Sequence, residues 1–121
     1  MTPAVALSGA ALRRARATLK LSQMEAGQVL GGLRQETISR WEQRRRVEPH
    51  AASEYPMREL IEVSTLLLDM YPDPARRQRF LDSPQRGLRG RSPRAVLAER
   101  PPYGVHELWQ FLMEIAHGLL A

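Results

Sequence analysis

The chain has no cysteine, a single lysine, and aromatic residues at only 6% of its 121 positions. Without cysteine there is no disulfide scaffold and no thiolate metal site, a composition that fits a reducing compartment. No apolar run approaches the roughly 20 residues needed to cross a bilayer, so no membrane partner is expected. A basic flank followed by an apolar stretch, the mark of a secretory leader, is missing from the N-terminal residues, and a cytoplasmic location is expected. Alternation of apolar and polar residues beside β-branched enrichment is missing as well, which argues against strands and leaves an all-α fold class. Nothing resembles a nucleophile, base and orienter set, a phosphate-cradling glycine loop or a metal-ligand cluster. No catalytic residue, metal site or cofactor is therefore expected, and the chain reads as a non-enzyme.

What is present is arginine, proline and glycine. Seventeen of the 18 basic residues are Arg, and the formal net charge is +5. Residues 1–50 carry nine basic and four acidic side chains, whereas residues 51–121 carry nine of each, so the excess falls in the first half. Arginine suits bidentate contact with phosphate or carboxylate, although a GC-rich genome produces the same bias. The length fits one domain, or two small helical units sharing a core. Nine prolines and eight glycines divide it into many short helices.

Helix signals recur along the chain. Ser8 is a candidate N-cap for a helix to about Leu19, with Leu12, Ala15 and Leu19 at helical spacing. Ser22 caps a second helix, whose Ala26, Val29 and Leu30 face inward before Gly31 and Gly32 end it. A third runs from about Gln35 to Arg45. Pro49 and the stretch AASEYP make the clearest internal boundary, giving a division into residues 1–50 and 51–121. An amphipathic helix follows from Met57 to Tyr71, with Leu60, Ile61, Ser64, Leu67 and Leu68 on one side. A shorter helix is expected from about Pro74 to Leu81 and then an arginine-rich loop from Asp82 to Arg91. Ser92 and Pro93 carry the cap and first-turn proline of another helix, and a last one begins near Val105.

Two short helices joined by a glycine-containing turn, the second followed by arginines, have the plan of a helix-turn-helix. With Ile38 at the centre of the buried side of the third helix, Trp41 and Glu42 fall beside it, and Glu36, Thr37, Arg40 and Arg44 point away. That outer face, with Ser39 and Gln43 at its flanks, presents donors to base edges and phosphates. The simpler alternative is a solvated helix end whose cations complement the dipole. The residues "LRRAR" at 12–16, "LSQ" at 21–23, "LG" at 30–31 and "TISRWE" at 37–42 tip the balance, because together they resemble the DNA-binding domain of Xre/Cro-family repressors. The resemblance implies that Gln23, at the start of the second helix, contacts DNA, and that Arg16 pairs with Glu42 as a structural tie. The candidate DNA-binding set is Gln23, Arg34, Gln35, Thr37, Ser39, Arg40 and Arg44, with either Arg34 or Gln35 in the first base-reading position. Gly27 departs from the alanine usual there, and glycine costs about 1 kcal/mol in a helix interior.

The last segment, VHELWQFLMEIAHGLLA, has surplus apolar face. Val105, Leu108, Trp109, Leu112 and Ala116 make one stripe, and Phe111, Met113 and Ile115 widen it to about 200°. Packing inside the chain, a homodimer or a different protein would each cover it. The residues "RFLDSP" at 79–84, "LRGRSPRAVL" at 88–97 and the pattern from Gly104 to Leu120 resemble the C-terminal domain of Xre/MbcA/ParS antitoxins. That resemblance implies a partner toxin with a RES-type fold that depletes NAD or transfers ADP-ribose, covered at its active site by the antitoxin's closing helix and tail. Carried onto this chain, the toxin-binding set is Trp109, Met113, His117, Gly118, Leu119, Leu120 and Ala121.

The expected architecture is a Cro/repressor-like helix-turn-helix followed by a small helical toxin-binding domain. The expected function is that of an antitoxin that neutralises a RES-domain toxin and represses its own operon as a homodimer on operator double-stranded DNA. The competing readings are a stand-alone repressor whose second half is a dimerisation module, and an adaptor that keeps the fold without binding DNA.

Overall fold

A computed structural model describes residues 7–118 and is all-α. In chain order the helices are α1 (Gly9–Leu19), α2 (Gln23–Val29), α3 (Gln35–Glu42), α4 (Ala51–Met70), α5 (Pro74–Asp82), α6 (Pro93–Glu99) and α7 (Tyr103–Ala116), with a 3₁₀ turn, Arg86–Leu88, between α5 and α6. No strand occurs among the described residues, and no helix there is long and apolar enough to cross a membrane.

The helix starts follow from short polar side chains. Ser8, Ser22, Asp73 and Ser92 each accept a hydrogen bond from the backbone N–H three residues on, satisfying donors that the first turn leaves open. At α2 the Ser22 N–H donates in turn to the Glu25 carboxylate at 2.9 Å, completing a capping box.

One cluster of buried apolar side chains runs through the chain, from Leu12 and Leu19 of α1 through Ile38 of α3 and Leu60 and Leu67 of α4 to Leu108 and Leu112 of α7. Helix α4 is its axis and packs on both α1 and α7. The α4 and α7 axes run parallel: Glu59 meets His106 at 2.5 Å and Glu62 meets Trp109 at 2.6 Å, the same sequence offset one turn apart.

Several boundaries differ from the sequence expectation. Helix α4 starts at Ala51 rather than Met57, with Pro56 inside it. Proline removes one i to i−4 hydrogen bond, yet Ser53 and Pro56 are buried, and that packing outweighs the local break. Helix α3 stops at Glu42 rather than Arg45, because the chain is pulled off the helix axis by α1. The Gly9 N–H donates to the Arg44 carbonyl at 2.9 Å, and the Val47 N–H donates to the Leu7 carbonyl at 2.9 Å. Helix α7 begins at Tyr103, two residues early. Leu68, placed with the inward side of α4, is 40% exposed, and Ala116, placed in the main stripe of α7, is exposed.

Candidate nucleic-acid and partner interfaces

The first candidate surface is built on the ion pair between Arg16 of α1 and Glu42 of α3. Arg16 donates from Nε to Glu42 Oε2 at 2.7 Å and from Nη2 to Oε1 at 3.0 Å, while its Nη1 donates to the Leu21 carbonyl at 3.2 Å. Burial by itself would push the Glu42 carboxyl up. The hydrogen bonds from Arg16 and Gln23, with the charges of Arg16 and Arg13, outweigh it and hold the group below the usual glutamate value. The hydrogen bond to Glu42 in turn raises the Arg16 guanidinium above its ordinary value.

This buried carboxylate also organises the surface above it. Gln23, at the first position of α2, donates from Nε2 to Glu42 Oε1 at 3.2 Å, so its amide is steered before any ligand arrives. Gln23, Gln35, Glu36, Ser39, Arg40 and Gln43 then line one open groove between α2 and α3. Within α3, Ile38, Trp41 and Glu42 are buried, Glu36 and Arg40 are exposed, and Thr37 and Ser39 are half-buried. The groove therefore gathers Gln23, Gln35, Ser39 and Arg40 from the expected set. Arg34 lies outside it at the N-cap of α3, exposed and making no side-chain cap, and Arg44 is exposed beyond the end of the helix. Thr37 does not line it either.

Two residues left out of that set belong to the groove. Glu36 places a carboxylate among the donors, a group that can accept from cytosine N4 and that repels phosphate. Gln43, on the flank of this face, lines the groove beside Ser39 and Arg40. Arg13 adds a third feature: its Nη2 donates to the Glu42 carbonyl at 2.9 Å, holding a cation beside the end of α3. Its position three residues before Arg16 was the available signal.

The turn between α2 and α3 explains the glycine at position 27. The Gly27 carbonyl accepts from both the Gly32 N–H at 3.0 Å and the Leu33 N–H at 2.8 Å. This folds the turn so closely over α2 that a Cβ at position 27 would lie 2.1 Å from the Leu33 carbonyl oxygen.

The second candidate surface is α7. Val105, Leu108, Phe111 and Leu112 face the core and are buried, while Trp109, Met113 and Ile115 are half-buried and Ala116 and His117 are exposed. The apolar face is thus only partly covered by the chain's own helices. Trp109 donates its indole N–H to Glu62 and stacks on His106 with ring centroids 5.6 Å apart. Gly118 ends the helix at φ +69°, a left-handed conformation that glycine adopts without strain. Of the expected toxin-binding set, Trp109 and Met113 lie within this helix, His117 is its C-cap and Gly118 follows, and Leu119, Leu120 and Ala121 lie outside the described residues. No group of three or more His, Asp or Glu side chains suited to a metal occurs among the described residues.

No family model matches the sequence, and no curated protein matches it. Among solved structures, the fold is similar to a chain in the crystal structure of the M. tuberculosis MbcT–MbcA toxin–antitoxin complex. The TM-score is 0.62 and the identity 18%, over 93% of this chain and 96% of that one. Those values establish a shared fold along nearly the whole length.

Proposed function

We propose that this chain is an antitoxin that represses its own operon through the α2–α3 groove and neutralises a cognate RES-type toxin with α7 and the residues that follow it. The observation that carries this reading is the near full-length likeness to a chain of a toxin–antitoxin complex. The half-covered apolar side of α7 supports it.

In this reading residues 1–50 hold the DNA-binding unit and residues 51–121 the dimerisation and toxin-binding unit. The chain acts as a homodimer in the cytoplasm without catalysis of its own. Arg40 and Gln35, with Ser39 and Gln23, read base edges or position the helix on phosphates, while Arg34, Thr37 and Arg44 make flanking contacts. Trp109, Met113, His117 and Gly118, followed by Leu119, Leu120 and Ala121, enter and cover the toxin's active-site cleft.

Removal of residues 117–121 is the test. Growth rescue against a RES-type protein encoded beside this chain should be lost, while retention of the upstream duplex in a gel-shift assay should stay intact. Full rescue by the truncated chain would leave only the repressor reading.

A further inference from the structure

Charge is segregated inside the half that balances to zero. Residues 72–94 carry seven arginines against two aspartates, whereas residues 51–71 carry one arginine against four carboxylates, and residues 95–118 carry one arginine against three glutamates. The segment comprising α5, the 3₁₀ turn and the start of α6 is as cationic, at a surplus of five, as the whole of residues 1–50.

Its seven arginines divide by environment. Arg77 is buried and donates to the Tyr71 carbonyl at 3.0 Å, closing the end of α4. Arg91 is held by Glu99 and Glu107, and Arg94 by Asp82, Gln78 and the Leu19 carbonyl. These three are structural. The other four, Arg76, Arg79, Arg86 and Arg89, are exposed, and none of their guanidinium groups makes a hydrogen bond or ion pair among the described residues. Arg76 and Arg79 stand one turn apart on α5 and are both exposed, Arg79 on the side away from the buried Arg77 and Leu81 and Arg76 at the margin of the buried face. Arg86 and Arg89 bracket the 3₁₀ turn and are joined by its N–H···O bond at 3.0 Å.

The chemistry around them selects the ligand class. Every large exposed apolar side chain among the described residues, namely Met24, Tyr55, Leu68 and Tyr103, lies outside this segment. A protein partner needs an apolar or aromatic centre to bury, while a phosphate backbone needs cations alone. The segment is also joined to the helix-turn-helix. Gln78 donates to the Thr18 carbonyl at 3.1 Å and Arg94 to the Leu19 carbonyl at 2.8 Å, beside the exposed Lys20 and the turn that leads into α2. Helix α2 has Gln23 in the α3 groove on one side and Glu25 and Gln28 against Arg94 and Leu97 on the other.

We infer that Arg76, Arg79, Arg86 and Arg89 form a second, sequence-independent contact surface for the phosphate backbone of double-stranded DNA. The inference rests on the operator-binding reading and lengthens its footprint. Such contacts contribute affinity and salt dependence without base preference.

The experiment is fluorescence anisotropy of the full chain on a labelled duplex of about 40 base pairs from the upstream region, over a series of salt concentrations. The Arg76→Ala/Arg79→Ala/Arg86→Ala/Arg89→Ala variant should bind at least tenfold more weakly. Its slope of log K against log salt should be shallower by about 3 to 4, at roughly 0.9 per phosphate lost. Each pair, Arg76→Ala/Arg79→Ala and Arg86→Ala/Arg89→Ala, should account for about half of that change, and the unfolding midpoint should stay at the wild-type value. Slope and affinity equal to wild type would overturn the inference, including when the same variant loses a protein partner, because the arginines would then serve an acidic protein surface. Parallel titrations of Arg40→Ala/Arg44→Ala keep the two readings apart. A loss there with none in the fourfold variant sinks the second surface alone, and the reverse sinks operator reading by α3 while the second surface stands.

Discussion

The Arg16 guanidinium and the Glu42 carboxylate meet through two hydrogen bonds, at 2.7 and 3.0 Å, across the α1–α3 contact. The Glu42 side chain is 4% exposed and that of Arg16 is 24% exposed, so the pair is asymmetric. The carboxylate depends on the arginine more than the arginine depends on it. Gln23 hangs from the same carboxylate, which makes this tie a support for the groove as well as for the fold.

Replacing Arg16 by methionine should therefore destabilise the chain by about 3 kcal/mol at neutral pH, since it strands a buried charge. Urea denaturation measures this. The pH dependence has a definite sign. A folded-state value held below the usual glutamate range means the contribution is fully present above about pH 4.3 and is lost as pH falls through the lower folded value. The gap between wild type and Arg16→Met should accordingly close in acid, and a gap that widens below pH 4 would show that the ion pair is not its source.

Alanine is the better helix former by about 1 kcal/mol, yet Gly27→Ala should lower stability. The added Cβ would meet the Leu33 carbonyl oxygen at 2.1 Å, and because that contact is backbone, no side-chain rotation can relieve it. A loss of about 2 kcal/mol or more is expected by thermal unfolding, together with weaker DNA retention because the turn sets the angle of α3. A Gly27→Ala chain as stable as wild type would mean that the turn relaxes freely.

Local chemistry was readable in advance because it is written within a few residues. Ser8, Ser22 and Ser92 cap helices wherever a serine precedes a helical pattern, and the phase of α3 follows from Ile38, Trp41 and Glu42 recurring at helical spacing. The Arg16–Glu42 tie was reached only through the family resemblance. The start of α4 was hidden, since Pro56 is a local break signal and the burial of Ser53 and Pro56 that overrides it is tertiary. The Gln23 bond to Glu42 spans 19 residues and has no local mark. The arginine-rich loop from Asp82 to Arg91 is legible in the sequence, whereas averaging over residues 51–121 hides that the surplus extends back into α5, because α4 and α7 carry the compensating carboxylates.

If α3 presents its outer face to a duplex, Arg40→Ala and Arg44→Ala should each weaken binding and reduce the salt slope by about 1. Arg40 lines the groove with Gln35 and Ser39, whereas Arg44 sits past the helix end. Arg40→Ala should therefore also relax discrimination between the upstream duplex and a scrambled one, and Arg44→Ala should weaken both duplexes equally. Competition titrations with the two duplexes separate these effects. Equal losses of discrimination from both substitutions would place Arg44, too, at a base edge.

Leu112 and Met113 are neighbours in α7 with different environments: Leu112 is wholly buried in the core, while Met113 is half-buried. Leu112→Ala should cost about 3 kcal/mol of folding stability through the cavity it leaves. Met113→Ala should change stability by less than about 1 kcal/mol, since solvent already reaches the site. The order reverses for partner capture. Truncating Met113 should weaken binding of the co-expressed toxin by tenfold or more, as expected for an apolar anchor that becomes fully buried only in the complex. Leu112→Ala, measured well below its unfolding midpoint, should retain that affinity within a few fold. If both variants follow stability alone, and toxin binding tracks the folded fraction, then the half-covered side of α7 is not where the partner sits.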